Sequence, residues 1–225
     1  MAFFRMNPKT GGGGGGSTDP TFTSVKICDN SSFSTTLNFS DDYTNYQFIK
    51  FVIYNNSSQL YTEIITTPEM VTNAFNYSNN LLNLNEANND QYCCYRKVTN
   101  TEWTRYGRRN CDIFEVYGMT CSNKTVTKTT IYDRQAIGGS SVTITSQTSL
   151  FSYDYLLFGS CTGSVDETQP CNEIFKSKID LFGRPASTRT LLTNGYNTRI
   201  GILRVSEFEI SAWSYHVFVQ GVTFT

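Results

Sequence analysis

The feature that most constrains the fold is a repeated order of strand patterns, in which the second copy begins about 104 residues after the first. Each copy has a short alternating stretch, then a long apolar run, then a closing strand that contains a glycine. These segments are Leu37–Phe39, Phe48–Tyr54 and Glu115–Thr120 in the first copy, and Val142–Ile144, Tyr153–Phe158 and Phe218–Thr223 in the second. Alternation with period two is typical of β-strands, and about 100 residues is the size of one β-sandwich. The chain is therefore predicted to be all-β, with two tandem antiparallel β-sandwich modules of about 100 residues, 22–124 and 125–225.

The segment before the first strand pattern differs sharply in composition. Residues 11–16 are six consecutive glycines, and glycine loses more backbone entropy on ordering than any other residue. We therefore expect 11–21 to be a Gly-rich flexible linker and 1–10 to be an extended N-terminal anchoring peptide. The peptide combines apolar and cationic side chains, and the residues expected to anchor it are Phe3, Phe4, Arg5, Met6 and Lys9.

Charge and the lengths of the apolar runs argue against nucleic acid and membrane as partners. The chain has 18 basic and 19 acidic residues, a net charge of −1, whereas nucleic-acid binding needs a clustered basic surface. The densest basic stretch, Arg105–Arg109, is expected to be a solvated hairpin loop. No apolar run approaches the ~20 residues of a membrane span, and Arg5 interrupts the apolar start that a secretory signal would need. We expect a protein made in the cytoplasm, without nucleic acid or membrane as a partner.

Residues that could support catalysis or bind a metal are sparse. The single histidine, His216, lies in a strong strand pattern and is expected to be structural or exposed. Glu207 and Glu209 share one face of a predicted strand and could form an acid and partner pair, which leaves a polysaccharide-acting enzyme as a remote alternative. None of the seven cysteines has the close spacing of a zinc site, so we expect mostly free thiols, with a late disulfide as the alternative. No enzymatic activity, metal or cofactor is expected.

Aromatic residues are the remaining candidates for ligand contact. Trp103 and Tyr106 lie in predicted strands of the first module, and Trp213 and Tyr215 lie in those of the second. Exposed Trp and Tyr side chains can stack on sugar rings or anchor a protein partner. Burial in the core is the alternative for each of the four.

The chain resembles one group of proteins. The run Phe151–Gly159, followed by Thr198–Ile202 and Val217–Val222, is similar to β-sandwich modules of tailed-bacteriophage virion proteins of the fibre, tail or head-decoration type. The short N-terminal peptide and glycine linker, without a signal sequence, fit the same group, and the resemblance covers roughly 22–225.

The resemblance implies a non-enzymatic structural protein of the virion. Its N-terminal peptide would bind other virion proteins of the capsid or tail, and the protein would commonly be a homo-oligomer. The alternative is an adhesin at a tail tip that binds a host receptor, either a surface glycan or a protein.

Overall fold

The computed structural model describes residues 20–77, 80–85, 92–135, 141–161, 189–193, 199–204, 206–213 and 216–225. The first half of the chain contains strands β1 (Phe22–Asp29), β2 (Thr36–Asn38), β3 (Phe48–Asn55), β4 (Leu60–Thr66), β5 (Leu81–Asn85), β6 (Tyr92–Thr99), β7 (Glu102–Arg109) and β8 (Cys111–Cys121), a 3₁₀ turn (Tyr43–Asn45) and helix α1 (Pro68–Tyr77). The second half contains β9 (Val126–Gln135), β10 (Ser141–Thr145), β11 (Tyr155–Cys161), β12 (Arg189–Thr193), β13 (Arg199–Arg204), β14 (Glu209–Trp213) and β15 (His216–Phe224), and a 3₁₀ turn (Leu150–Ser152).

These strands form four sheets in which every pairing among the described strands is antiparallel. The sheets β1-β8-β3-β4 and β2-β7-β6-β5 are named here the N-terminal sheet pair, and the sheets β11-β15-β9 and β10-β14-β13-β12 the C-terminal sheet pair. Both pairs have the same strand order, with β9, β10 and β11 in the places of β1, β2 and β3, and β12 to β15 in the places of β5 to β8. β4 has no counterpart among the strands described in the second half. The prediction of an all-β antiparallel fold is confirmed, while the module boundaries stay a prediction.

A tyrosine packs on a glycine at the same place in both sheet pairs. Tyr46 and Tyr153 directly follow the two 3₁₀ turns. The ring of Tyr46 lies against Gly118 in β8, and the ring of Tyr153 lies against Gly221 in β15. A Cβ atom built on either glycine would overlap the ring, so this approach of ring to backbone requires glycine.

The two N-terminal sheets pack face to face around one core. β3 is central in its sheet, and its alternate side chains Ile49, Phe51 and Ile53 face inward. They pack with Tyr95 and Trp103 of the opposite sheet, both fully buried. Two hydrophobic sheet faces buried against each other are the packing of a β-sandwich.

The Asn-rich residues 72–90 predict a loop with at most a short helix, and the start of helix α1 before this segment was not predicted. The structure instead places a ten-residue helix at Pro68–Tyr77, followed by β5. Thr67 caps the helix by accepting a hydrogen bond from the Met70 amide on its Oγ1 (3.4 Å). Pro68 occupies the first helical position and Glu69 lies in the first turn, and both residue types suit a helix start.

The two sheet pairs share an apolar contact. Met70 and Met119 pack with Leu157, Phe218 and Val222 of the C-terminal pair in one buried cluster. At its edge the buried Thr67 hydroxyl donates to Gln220 Oε1 (2.7 Å), and Lys128 Nζ pairs with Glu69 (2.6 Å). Buried apolar area with satisfied polar partners holds the two pairs together.

Candidate functional site

Four aromatic side chains form a continuous cluster on the outer face of the β1-β8-β3-β4 sheet. The ring centroid of Tyr61 lies 5.0 Å from the ring centroid of Tyr54 and 5.0 Å from that of Phe114. Phe33 lies 5.4 Å from Tyr54 and 6.0 Å from Phe114. Tyr61 is 55% exposed, and the other three are partly exposed. We call these four residues the aromatic platform, and it is the strongest candidate binding surface in the described part of the chain.

Strand register places three of the platform residues. Tyr54 and Tyr61 are direct cross-strand partners on β3 and β4, next to the turn that joins these strands. On β8 the pairing with β3 passes from Ile113 to Glu115, so Phe114 is an extra, bulged residue. A bulge changes the direction of side chains locally, and here it brings Phe114 to the same outer face as Tyr61.

The fourth ring is held by the loop between β1 and β2. The buried Asn30 anchors this loop, because its backbone N–H donates to the Phe114 carbonyl and its side-chain Nδ2 donates to the Ile113 carbonyl, both at 2.8 Å. The Phe33 amide then donates to the Asn30 carbonyl (2.8 Å). Phe33 adopts a φ of 54°, which is rare and unfavourable for a bulky residue. The anchored loop imposes this conformation and directs the ring toward Tyr54.

Two neighbouring turns have the same backbone feature. Gln59 ends the β3–β4 turn with a φ of 57°, and Asn110 joins β7 to β8 with a φ of 58°. The two turns are hydrogen bonded to each other by the Asn56 amide and the Asn110 carbonyl (2.7 Å). Of the four described non-glycine residues with positive φ, Phe33 belongs to the platform, and Gln59 and Asn110 lie in these two neighbouring turns. Backbone strain that the surroundings hold in place is commonly found at binding sites.

The charges next to the platform are paired with one another. On the same face Lys26 bridges Asp29 (2.8 Å) and Glu115 (3.1 Å), and Lys50 pairs with Glu63 (3.0 Å). The hydrogen bond from Lys26, aided by the Ser31 amide, lowers the pKa of Asp29 to about 2. Two lysines thus face three carboxylates, which leaves one net negative charge and no unpaired cation among these groups beside the platform.

Trp103 is a correction to the predicted ligand contacts. It lies on β7 opposite Leu37 of β2, and its side chain is fully buried between the two N-terminal sheets. The ring centroid of Phe39 lies 4.6 Å from the indole centroid, and that of Phe75 lies 5.0 Å from it. This indole is part of the core, and a ligand at the surface cannot contact it.

The other predicted contacts do not join the platform. Tyr106 is 39% exposed, but it lies on β7 in the opposite sheet, and the Arg96 guanidinium lies 4.8 Å from its ring centroid. Trp213 ends β14, and its side chain lies outside the described residues, as does Tyr215 entirely. The predicted anchoring residues Phe3, Phe4, Arg5, Met6 and Lys9 also lie outside the described residues, so their role stays a prediction.

The predicted basic hairpin loop is instead part of strand β7 and supports a buried carboxylate. Asp112 is fully buried and accepts hydrogen bonds from Tyr95 Oη, Arg105 Nη1 and, at 2.7 Å, Arg108 Nη1. Burial raises the pKa of Tyr95, so its phenol stays neutral and acts as a donor. This network ties β6, β7 and β8 together, and it uses two arginines that the sequence analysis placed in solvent.

The remaining reactive groups have structural surroundings. Glu207 lies in the turn before β14 and accepts a hydrogen bond from the Ser149 hydroxyl (2.8 Å), whereas Glu209 begins the strand. Burial raises the pKa of Cys28 to about 11 and that of Cys93 well above its usual range. Buried cysteines in the reduced form are Cys28, Cys93, Cys94, Cys111 and Cys121.

The described ranges contain neither a metal-binding cluster nor a membrane-spanning helix. No group of three or more His, Cys, Asp or Glu side chains there could hold a metal ion. No helix there is long and apolar enough to cross a membrane.

The aromatic platform was not among the candidates predicted from the sequence, although part of its signal was present. Tyr54 and Tyr61 flank an Asn-Asn-Ser-Ser turn between two predicted strands, so a hairpin register would have paired them. Phe114 and Phe33 depend on a bulge and on a loop conformation, which residue patterns do not reveal.

Comparison of the chain with models of known protein families, with curated proteins and with solved structures gave no match.

Proposed function

We propose that the protein is a non-enzymatic binding component of a bacteriophage particle, joined to it by the N-terminal peptide and presenting the aromatic platform to a partner. The observation that carries the proposal is the platform itself. Four rings share one outer sheet face, and anchored loops hold them in place. Aromatic side chains that stay exposed but rigid are typical anchors of binding surfaces. The assignment to a phage particle rests on the sequence resemblance.

The position of the platform suits presentation away from the rest of the molecule. β3 begins at Phe48, which packs in the contact between the sheet pairs, and ends beside the platform at Tyr54 and Asn55. Six peptide steps along a strand separate Phe48 from Tyr54, or about 20 Å. The platform and the contact with the C-terminal sheet pair thus lie at opposite ends of β3, so the described strands of that pair lie away from the platform.

Binding to host cells tests the role of the platform. We expect Tyr61→Ala to weaken binding of the purified protein to cells of the host at least about fivefold, because an anchor ring contributes ~1 kcal/mol or more. Tyr106→Ala is the matched control, since it removes an exposed tyrosine from the opposite sheet. Equal binding by wild type and Tyr61→Ala would remove the platform from the proposed function.

Incorporation into particles tests the role of the peptide. A chain in which residues 1–10 are replaced by ten residues of mixed Gly and Ser should be absent from purified particles, because the apolar and cationic side chains have gone. Circular dichroism should show unchanged β-structure, since the first described strand begins at Phe22. Normal incorporation of this variant would contradict attachment through the peptide.

A further inference from the structure

We infer that the ligand of the aromatic platform is an uncharged saccharide. This deepens the proposed function and rests on it, because it assumes that the platform is the binding surface. The first step is the shape of the cluster. Neighbouring rings are inclined to each other by between 35° and 64°, so they form a faceted apolar surface instead of one flat stack. Such a surface suits small rings with apolar C–H faces.

The second step is the polar rim of the platform. The loops and turns at its border are 30–35, 56–59 and 110, and apart from Phe33 every residue in them is Asn, Ser, Thr or Gln. Ser57, Ser58 and Gln59 are exposed beside Tyr61. Amides and hydroxyls donate and accept hydrogen bonds without charge. They match the hydroxyl groups that project around a sugar ring.

The third step is the electrostatics. On the same sheet face Lys26 is shared by Asp29 and Glu115, and Lys50 pairs with Glu63, so these groups hold no unpaired cation and leave one net negative charge. An anionic glycan or a nucleic acid would need free cations at the site. Protein interfaces are typically enriched in arginine beside their aromatic residues. The arginine that contacts the platform loop, Arg105, donates to the Phe33 carbonyl (3.5 Å), but its guanidinium is paired with the buried Asp112. Uncharged groups at the surface thus favour an uncharged ligand.

The test is an array of immobilised uncharged polysaccharides (dextran, mannan and galactan) and acidic ones (hyaluronate and heparin), probed with the full chain. We expect binding to at least one uncharged polysaccharide, with an affinity that stays within about twofold between low and high salt because no ion pairs form. Tyr61→Ala should weaken this binding at least about fivefold. Tyr61→Phe, which keeps the ring, and Tyr106→Ala, which alters the opposite sheet, should bind like wild type.

The outcomes separate this inference from the proposed function. Binding only to acidic polysaccharides, loss of binding at high salt, or loss through Tyr106→Ala overturns the inference. A silent array overturns it as well, and if cell binding then depends on Tyr61 and is destroyed by protease treatment of the cells, the partner is a protein and the proposed function stands. Cell binding that does not depend on Tyr61 removes the platform from the proposed function and overturns the inference with it.

Discussion

At the scale of single residues, the most consequential group is the buried carboxylate of Asp112. A buried charge is costly unless partners surround it. Asp112 has three such partners, and two of them are arginines from one strand, Arg105 and Arg108. Removing the carboxylate would leave Tyr95 and Arg105 with unpaired donors in the interior. The network is therefore important for the stability of the N-terminal sheet pair that supports the platform.

We expect Asp112→Ala to lower the free energy of unfolding by about 3–5 kcal/mol, the usual cost of removing one partner from a buried ion pair. Glu63→Ala breaks an exposed pair with Lys50 and should cost at most about 1 kcal/mol. Urea denaturation of both variants measures the difference. Similar losses for the two would show that Asp112 is not held as its contacts imply.

At the scale of elements, the loop between β1 and β2 is unusual because it holds a phenylalanine in a left-handed conformation. A non-glycine residue in this region costs about 1–2 kcal/mol. Gln59, in the turn beside it, has the same conformation without a ring in the platform. The two residues therefore allow backbone strain to be separated from binding.

We expect Gln59→Gly to raise the free energy of unfolding by about 1 kcal/mol and to leave binding unchanged. Phe33→Gly should gain the same relief but lose the ring contacts with Tyr54 and Phe114, so that stability changes little and binding falls. Chemical denaturation and the binding assay measure the two effects. A destabilised Gln59→Gly would contradict strain in the turn.

The sequence predicted some of these elements correctly and did not predict others. The apolar run Phe48–Tyr54 predicted a central strand, because such a run suits a strand buried in a sheet, and β3 occupies that place. For helix α1 the sequence indicated at most a short helix within 72–90, and its start at Pro68 was not predicted, although Thr67 and Pro68 are start signals. Trp103 and Tyr61 show the limit for the site. Both lie in alternating strands, and only the packing of the opposite sheet decides which face is buried.

At the scale of the whole molecule, the shared apolar contact makes the stability of one sheet pair depend on the other. Met70 packs in this contact, whereas its helix neighbours Val71 and Phe75 pack in the N-terminal core. Helix α1 thus has one face toward each cluster. Separation of the sheet pairs would expose Met70 and Met119 to water, and that cost couples their unfolding.

We expect a single cooperative transition in calorimetry of the full chain. Met70→Asp places a charge in the contact between the sheet pairs and should divide the transition into two. Glu69→Ala removes only the surface pair with Lys128 and should keep one transition. Two well-separated transitions in the wild type would contradict the coupling.

The course of β1 has a mechanical consequence. β1 begins at Phe22, just after the N-terminal segment, and runs antiparallel along β8 to Asp29, next to the loop that holds Phe33. Hydrogen bonds between antiparallel strands lie perpendicular to the strands. A pull between a tethered N-terminus and a ligand on the platform would act along the strands and load these bonds in shear, all together. The sheet would resist such a load far better than one that opened it bond by bond from an end.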